Sequence, residues 1–184
     1  MRKLIAGGIF ATLIASSVAA SGLQIEVAGE ANGTVTIDLL EDVAPQHAAR
    51  MMELAAAGKY DGVVFHRVID GFMAQTGDVQ HGTDPTNLGR AGTGGSDMPD
   101  LPAEFSDVPF DKGVVGMARS QSPNSANSQF FIMFDAGHFL NGQYTVVGRV
   151  TGGQDVVDAI KRGTGGNGAV VGAPDMMKTV TVID

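Results

Sequence analysis

Residues 23–40 read LQIEVAGEANGTVTIDLL, two runs in which apolar and polar residues alternate on either side of Asn32-Gly33. A period of two marks a strand with one buried face, and Asn-Gly between two such runs is the strongest short-range hairpin signal. The chain is therefore expected to open its fold on an antiparallel hairpin. Asn32-Gly33-Thr34 also fits a glycosylation acceptor, but the turn accounts for the same residues.

Downstream, EDVAPQHAARMMELAAAGKYDG predicts one helix over residues 44–57, with Asp42 as its cap, Pro45 in the first turn and Gly58 as its stop. Strand-like runs return from Tyr60 to Gly77, broken at Asp70-Gly71. A Gly-, Asp- and Pro-rich loop occupies residues 80–102, longer than ordinary connections, and loops of that kind are usually functional or mobile. Further strands are expected at 113–118, 129–134, 144–150 and 178–183. A second short helix lies in GQDVVDAIKRG, with Val156, Val157 and Ile160 at helical spacing and Gly163 as its stop. Many short strands with only two helices predict a mainly β fold, an antiparallel barrel or sandwich with helices at its ends.

Composition bounds the function. The chain has 184 residues, 43% hydrophobic and 17% charged, which fits one domain with a sizeable core. Residues 1–20, MRKLIAGGIFATLIASSVAA, carry Arg2 and Lys3, an apolar segment too short to span a bilayer, and small residues suited to cleavage after Ala19 or Ala20. This predicts a secretory signal peptide, followed by a single domain over residues 21–184, and an exported, periplasmic protein with no stable membrane association after cleavage. There is no Cys, which excludes disulfides, thiolate metal sites and a lipid-modified Cys. Loss of Arg2 and Lys3 leaves 10 of the 12 Lys and Arg against 20 Asp and Glu, a net charge of about −10. Nucleic acid and anionic membranes, which need a basic footprint, are poor partners for such a chain.

The chemistry gathers in FHRVIDGFMAQTGD, residues 65–78. Alternation sets Phe65, Arg67 and Ile69 on one face and His66 and Val68 on the other. His66 is then expected to be a hydrogen-bonded core residue, whereas an Arg between apolar neighbours either lies in solvent or serves an ordered polar site. In SQFFIMF, residues 128–134, the same period sets Gln129, Phe131 and Met133 against Phe130, Ile132 and Phe134, so both faces of that strand are covered. Gln129 beside Phe131 and Gln75 beside Met73 are isolated amides in apolar patches. With Arg67 they suggest a groove in which a few polar groups orient a bound molecule. His47, His66, His81 and His138 show no metal-ligand spacing, GRAGTGG lacks the Lys and Ser/Thr of a phosphate loop, and no GxSxG occurs. No metal or cofactor is therefore expected.

The motifs FHRVIDGFMAQTGD, GTGG (92–95), GVVGMARS, NSQFFIMF and FLNGQYTVVGRV stand in the order found in cyclophilin-type peptidyl-prolyl cis/trans isomerases, which residues 21–184 resemble over essentially their whole length. The resemblance implies a closed eight-stranded antiparallel β-barrel capped by two α-helices. It implies isomerase activity on X-Pro bonds, assisting the folding of exported proteins, with a non-catalytic Pro-peptide-binding or chaperone module using the same groove as the alternative. Matched by motif, Arg67 is the catalytic residue, and Phe72, Met73, Phe131 and Leu140 form the proline pocket. Gln75 and Gln129 orient the peptide and Arg67, Ala118, Arg119 and Ser120 are a strand whose backbone binds the residue before proline, and Gly92 lines the groove. Phe139 and Tyr144 complete its wall. They stand where many eukaryotic members have Trp and His, which resembles the bacterial, exported branch and implies weak cyclosporin binding at most. The expected partners are Pro-containing, unfolded or flexible polypeptides, met as a monomer. Residues 80–91 look inserted relative to compact members.

Overall fold

The computed structural model describes residues 21–84 and 88–184; the expected leader, residues 1–20, lies outside them. The opening hairpin is present: β1 (Gly22–Ala28) pairs antiparallel with β2 (Gly33–Leu39), with Leu23 opposite Ile37 and Ile25 opposite Val35. Its turn, however, is not the Asn-Gly pair. Gly33 is already the first residue of β2, and residues 29–32 form the loop, across which the Asn32 amide donates to Gly29 O at 2.7 Å. The longer loop accommodates Asp175 from near the C-terminus, whose Oδ1 accepts the Ala31 N–H at 3.1 Å. A side chain at Gly29 would collide with that carboxylate.

α1 (Pro45–Ala56) matches the expected helix and takes Pro45 in its first turn, but Asp42 is not its cap. The cap position is Ala44, which has no side-chain acceptor, and the work passes to Glu104 from a loop more than fifty residues away. Its carboxylate accepts the N–H groups of Gln46 and His47, each at 3.2 Å, and the His47 Nδ1–H at 2.6 Å. The two backbone groups are first-turn donors that no helix can satisfy internally.

Seven further strands follow: β3 (Val63–Val64), β4 (Arg67–Ile69), β5 (Met73–Thr76), β6 (Val114–Met117), β7 (Phe130–Met133), β8 (Val146–Gly152) and β9 (Met176–Ile183). The strands expected after the long loop fall within two residues of these bounds. α2 (Gln154–Ala159) stops well before Gly163, because Ile160 turns to extended backbone and buries itself in the core. All pairings are antiparallel, in the order β3-β9-β1-β2-β8-β6-β7-β5-β4.

This is an open, curled half-barrel of nine strands, which corrects the closed eight-stranded barrel. The reason is local. Both edge strands, β3 and β4, come from the single run Val63–Ile69, which is interrupted at Phe65-His66 and cannot pair with itself. At the break, the Phe65 N–H donates to Asp175 O at 2.9 Å and His66 O accepts the Val170 N–H at 3.0 Å. The interruption also corrects the facing of Phe65: it packs with Val68 in the main core rather than beside Arg67.

Elsewhere the period of two holds. Phe130, Ile132 and Phe134 join Leu23, Ile25, Val115 and Val147 in the main core, which α1 covers with Met51 and Leu54, and α2 with Val157, followed by Ile160 just beyond its end. Phe131 and Met133 point the other way, into a second cluster with Met73, Phe110, Val114, Leu140 and Val146. A sheet buried on both faces explains why SQFFIMF has no polar side. The second cluster is the floor of the candidate site.

Candidate active site

Strand register builds the site as a row. Arg67 on β4 lies opposite Gln75 on β5, Gln75 opposite Phe131 on β7, and Phe131 opposite Gly116 on β6. Directly opposed residues in a sheet have their side chains in contact range, so the first two pairings bring a cation, an amide and an aromatic ring together. The next row, Ile69, Met73 and Met133, supplies apolar support.

Glycine at position 116 is what lets the row close. A Cβ there would lie 2.5 Å from Phe131 Cζ and 2.6 Å from Phe110 Cε1, so the two rings pass over the strand only because it has no side chain at that point. Phe110 and Phe131 stack at 5.8 Å between centroids, and Tyr144 meets Phe131 edge-on at 5.9 Å. Phe139, 66% exposed, leans on Phe72 at 5.4 Å. Phe72, Phe131, Phe139 and Tyr144, with Met73, Leu140 and Ala118, line a cavity of about 270 Å³ beneath which Phe110 is buried, and Arg67, Gln75 and Arg119 supply its polar rim.

The polar groups form one directed chain. Arg67 Nη1 donates to Gln75 Oε1 at 3.1 Å, Gln75 Nε2 to Gln129 Oε1 at 3.0 Å, and Gln129 Nε2 to Gly94 O at 2.8 Å. A guanidinium is donor-only, so its contact fixes which end of each amide points where. Gln129 thus reaches Arg67 only through Gln75. On its other side Arg67 donates to Asn167, Nε to the backbone O at 3.0 Å and Nη2 to Oδ1 at 3.1 Å. Burial draws the Arg67 pKa down from its ordinary value, yet a guanidinium keeps its charge at neutral pH.

Gln75, Gln129 and Gly92 also line a second, more polar cavity of about 430 Å³ on the far side of Ala118, Arg119 and Ser120. These three are not a strand, since β6 ends at Met117 and they continue as irregular backbone. Ala118 N–H donates to Gln129 O at 2.9 Å, and Ser120 N–H to Ser125 Oγ at 3.0 Å. Arg119 stacks its guanidinium 4.3 Å from the Tyr144 ring centroid and donates to the carbonyls of Ser120, Gln121 and Gln143. All thirteen expected site residues therefore border one of two adjoining cavities.

His66 is buried as expected, but neither ring nitrogen makes a well-formed hydrogen bond, its contact with the Val64 backbone being a weak one. Gly92 is its lid: a Cβ there would come within 2.9 Å of the imidazole, and φ is +94°. Burial lowers the His66 pKa against the opposing field of Asp78, so the ring is neutral at pH 7.

Asp78 fixes the lid. Its Oδ1 accepts the N–H groups of Gln80 and His81 at 3.1 and 2.8 Å, and its Oδ2 those of Gly92 and Gly94 at 2.7 and 2.9 Å. Burial alone would raise its pKa, but these four donors together hold it below the ordinary carboxylate value. Its contribution to stability is therefore present above the unfolded carboxylate value, near pH 4, and is lost as pH falls through the lower folded value. Asp78→Asn puts an amide N–H against backbone N–H groups. It is expected to destabilise the fold by about 1–3 kcal/mol and to flatten the acid limb of the stability curve, measured by urea titration from pH 3 to 7.

Asp78, Phe110, Gly116 and Asn167 were not anticipated from the sequence. Gly116 had a legible cue, an isolated Gly within a strand pattern. The others act across long separations.

Comparison with known proteins agrees with this geometry. The family described as cyclophilin-type peptidyl-prolyl cis-trans isomerase/CLD matches residues 23–182. A probable peptidyl-prolyl cis-trans isomerase of Brucella suis is 58% identical over 153 residues, spanning 82% of this chain and 78% of the relative. A peptidyl-prolyl cis-trans isomerase of Arabidopsis thaliana is 35% identical over 142 residues, 74% of this chain and 81% of that one. Among solved structures, a cyclophilin from Hirschia baltica superposes with a TM-score of 0.69 at 27% identity, covering 87% of this chain and 73% of its own. A Cryptosporidium parvum cyclophilin-type isomerase shares the fold at a TM-score of 0.73 and 24% identity, covering 89% of this chain and 99% of its own. Sequence, sheet and relatives converge, and the chain belongs to the cyclophilin-type peptidyl-prolyl cis-trans isomerases, enzymes that rotate X-Pro peptide bonds.

Proposed function

We propose that this isomerase is exported, belongs to a bacterial exported branch of the family, and works in the periplasm as a monomer on Pro-containing segments of unfolded or flexible exported proteins. Arg67 is its catalytic residue. The observation that carries the catalytic role is the Arg67–Gln75–Phe131 row, which sets a fixed guanidinium at the rim of an apolar cavity.

The mechanism follows from the amide. Resonance gives the peptide C–N bond a rotation barrier of roughly 18–20 kcal/mol, so X-Pro bonds interconvert unaided in tens to hundreds of seconds. As the bond twists, the prolyl nitrogen becomes pyramidal and regains a lone pair. A guanidinium N–H donates to that lone pair in the twisted state but has nothing to bond in the planar one, so it lowers the barrier in both directions. The pocket of Phe72, Met73, Phe131 and Leu140 holds the ring while the preceding carbonyl swings. Ala118, Arg119 and Ser120 offer backbone to the residue before proline, and Gln75 and Gln129 steady the peptide and Arg67. No metal or cofactor takes part.

The Cryptosporidium protein was solved in the presence of the dipeptide Ala-Pro, the class of ligand expected here. Titration of residues 21–184 with a Pro-containing tetrapeptide, followed by NMR, is expected to move the signals of Phe131, Gln129 and Ala118 first. Shifts confined to another surface would overturn the groove assignment. Export is tested by N-terminal sequencing of the protein recovered from a periplasmic fraction. A start at Ala20 or Ser21 supports it, and an intact Met1 in the cytoplasm overturns it.

Phe139 lacks the indole N–H that Trp would present at the cavity rim, so cyclosporin is bound weakly at most. Phe139→Trp is expected to tighten cyclosporin binding by about tenfold or more, read by calorimetry.

A further inference from the structure

The loop between α2 and β9 reaches Arg67 from the side opposite Gln75. Residues 163–170 are stitched to the chain on both sides of the arginine: Gly163 N–H donates to Val68 O at 2.9 Å, Val170 N–H donates to His66 O at 3.0 Å, and Ala169 bridges to Arg67 itself. Gly168 packs against Ile69 so closely that a Cβ would collide with it. Within this loop Asn167 is, among the described residues, the only non-glycine with positive φ, at 55°. Its backbone O and its side-chain Oδ1 both accept from the same guanidinium, on Nε and on Nη2.

We infer that Asn167 is a positioning residue for catalysis: it grips the Nε–Nη2 edge of Arg67 and fixes the plane in which the remaining N–H groups face the bound X-Pro bond. The inference rests on the catalytic reading of Arg67. Two acceptors on one residue define a plane, where a single acceptor would leave the group free to pivot. Gln75 holds Nη1 from the opposite side, so the guanidinium is clamped between β5 and the loop. Asn167 lines a separate cavity of about 370 Å³ behind Arg67 and is not part of the proline pocket. Its loss should therefore affect the rate of rotation rather than the affinity for peptide. A left-handed backbone explains the residue type: Asn tolerates that region better than other side-chain-bearing residues, and it brings an oxygen that Gly lacks.

The test is exchange NMR on a Pro-containing peptide, which yields kcat and Kd together, with the Arg67 guanidinium signals recorded in the same samples. Asn167→Gly keeps the backbone conformation and carbonyl but removes Oδ1. It is expected to lower kcat about tenfold, to leave Kd within about twofold, and to speed rotation of the Arg67 guanidinium. Asn167→Asp restores an oxygen acceptor and is expected to recover kcat to within about threefold of wild type. Wild-type turnover in Asn167→Gly, a change confined to Kd, or no recovery in Asn167→Asp would each overturn the inference. If Asn167→Gly does not fold, Asn167→Asp decides alone: slowed guanidinium rotation with retained turnover supports the clamp, and free rotation removes it. Arg67→Ala in the same assay separates the two levels. Full activity there sinks the catalytic reading itself, whereas an inactive Arg67→Ala beside an unaffected Asn167→Gly sinks only the clamp.

Discussion

Arg67→Ala is expected to slow catalysed isomerisation by about 100- to 1,000-fold, or roughly 2.7–4 kcal/mol of barrier, while peptide affinity falls little. Removing one preorganised donor from a developing lone pair has an effect of that size because the interaction exists only in the twisted state. The remainder of the groove, with Phe131 as its floor and Met73 and Leu140 beside it, still captures the proline ring. The measurement is protease-free exchange NMR, which separates binding from rotation. Arg67→Lys should recover little of the loss. A Lys ammonium keeps the charge but cannot engage Gln75 Oε1 and both Asn167 oxygens at once, so it is not held in one plane. Lys activity equal to Arg would mean that charge alone drives the step and would refute the geometric account.

Gly116→Ala is the second large effect, though it adds only one methyl group. That methyl would be placed 2.5 Å from Phe131 and 2.6 Å from Phe110, two buried and stacked rings with no flexible end to yield. Overpacking of this kind costs about 1–3 kcal/mol, a fall in Tm of roughly 2–12 °C for a domain of this size. Because the displaced ring is the pocket floor, kcat/KM should drop about tenfold or more through weaker binding, the opposite split from Arg67→Ala. Adding Phe131→Leu to Gly116→Ala should restore part of the lost stability, a non-additivity that identifies the collision as the cause. Unchanged Tm and kcat/KM in Gly116→Ala would show that the sheet opens to accept the methyl group.

The parts of this fold that were legible in the sequence are those governed by local period. Leu23 to Leu39 announced a hairpin, Val156 and Val157 a short helix, and the residues of SQFFIMF sorted themselves onto two faces as the structure has them. What stayed hidden depends on contacts between distant segments. The Asn-Gly signal misplaced its turn because Asp175 enters the loop from 144 residues away. Asp42 looked like a cap because Glu104, which does the capping, carries no local sign of it. Asn167 is 100 residues from the guanidinium it holds, and only its glycine neighbours hint at an unusual backbone. Sheet closure was misread for a related reason: a break at Phe65-His66 in an apolar run leaves no trace in composition. Thirteen residues were expected at the site on motif grounds, and all border the two adjoining cavities, yet the devices that fix Arg67 and Phe131 in place came only with the register of the strands.

The pairing of β1 with β9 carries a kinetic consequence. The strand that is synthesised first in the folded domain finds one of its two neighbours only in the strand that is synthesised last, Leu23 opposite Val182 and Ile25 opposite Val180. Lys178 and Glu26, joined across that seam at 2.8 Å, are 152 residues apart. Contacts of such long separation form late and slowly, since the loop must close before any of them repays its entropy. The sheet cannot be completed on a partial chain. A nascent polypeptide therefore keeps one side of β1 unpaired until β9 has been synthesised.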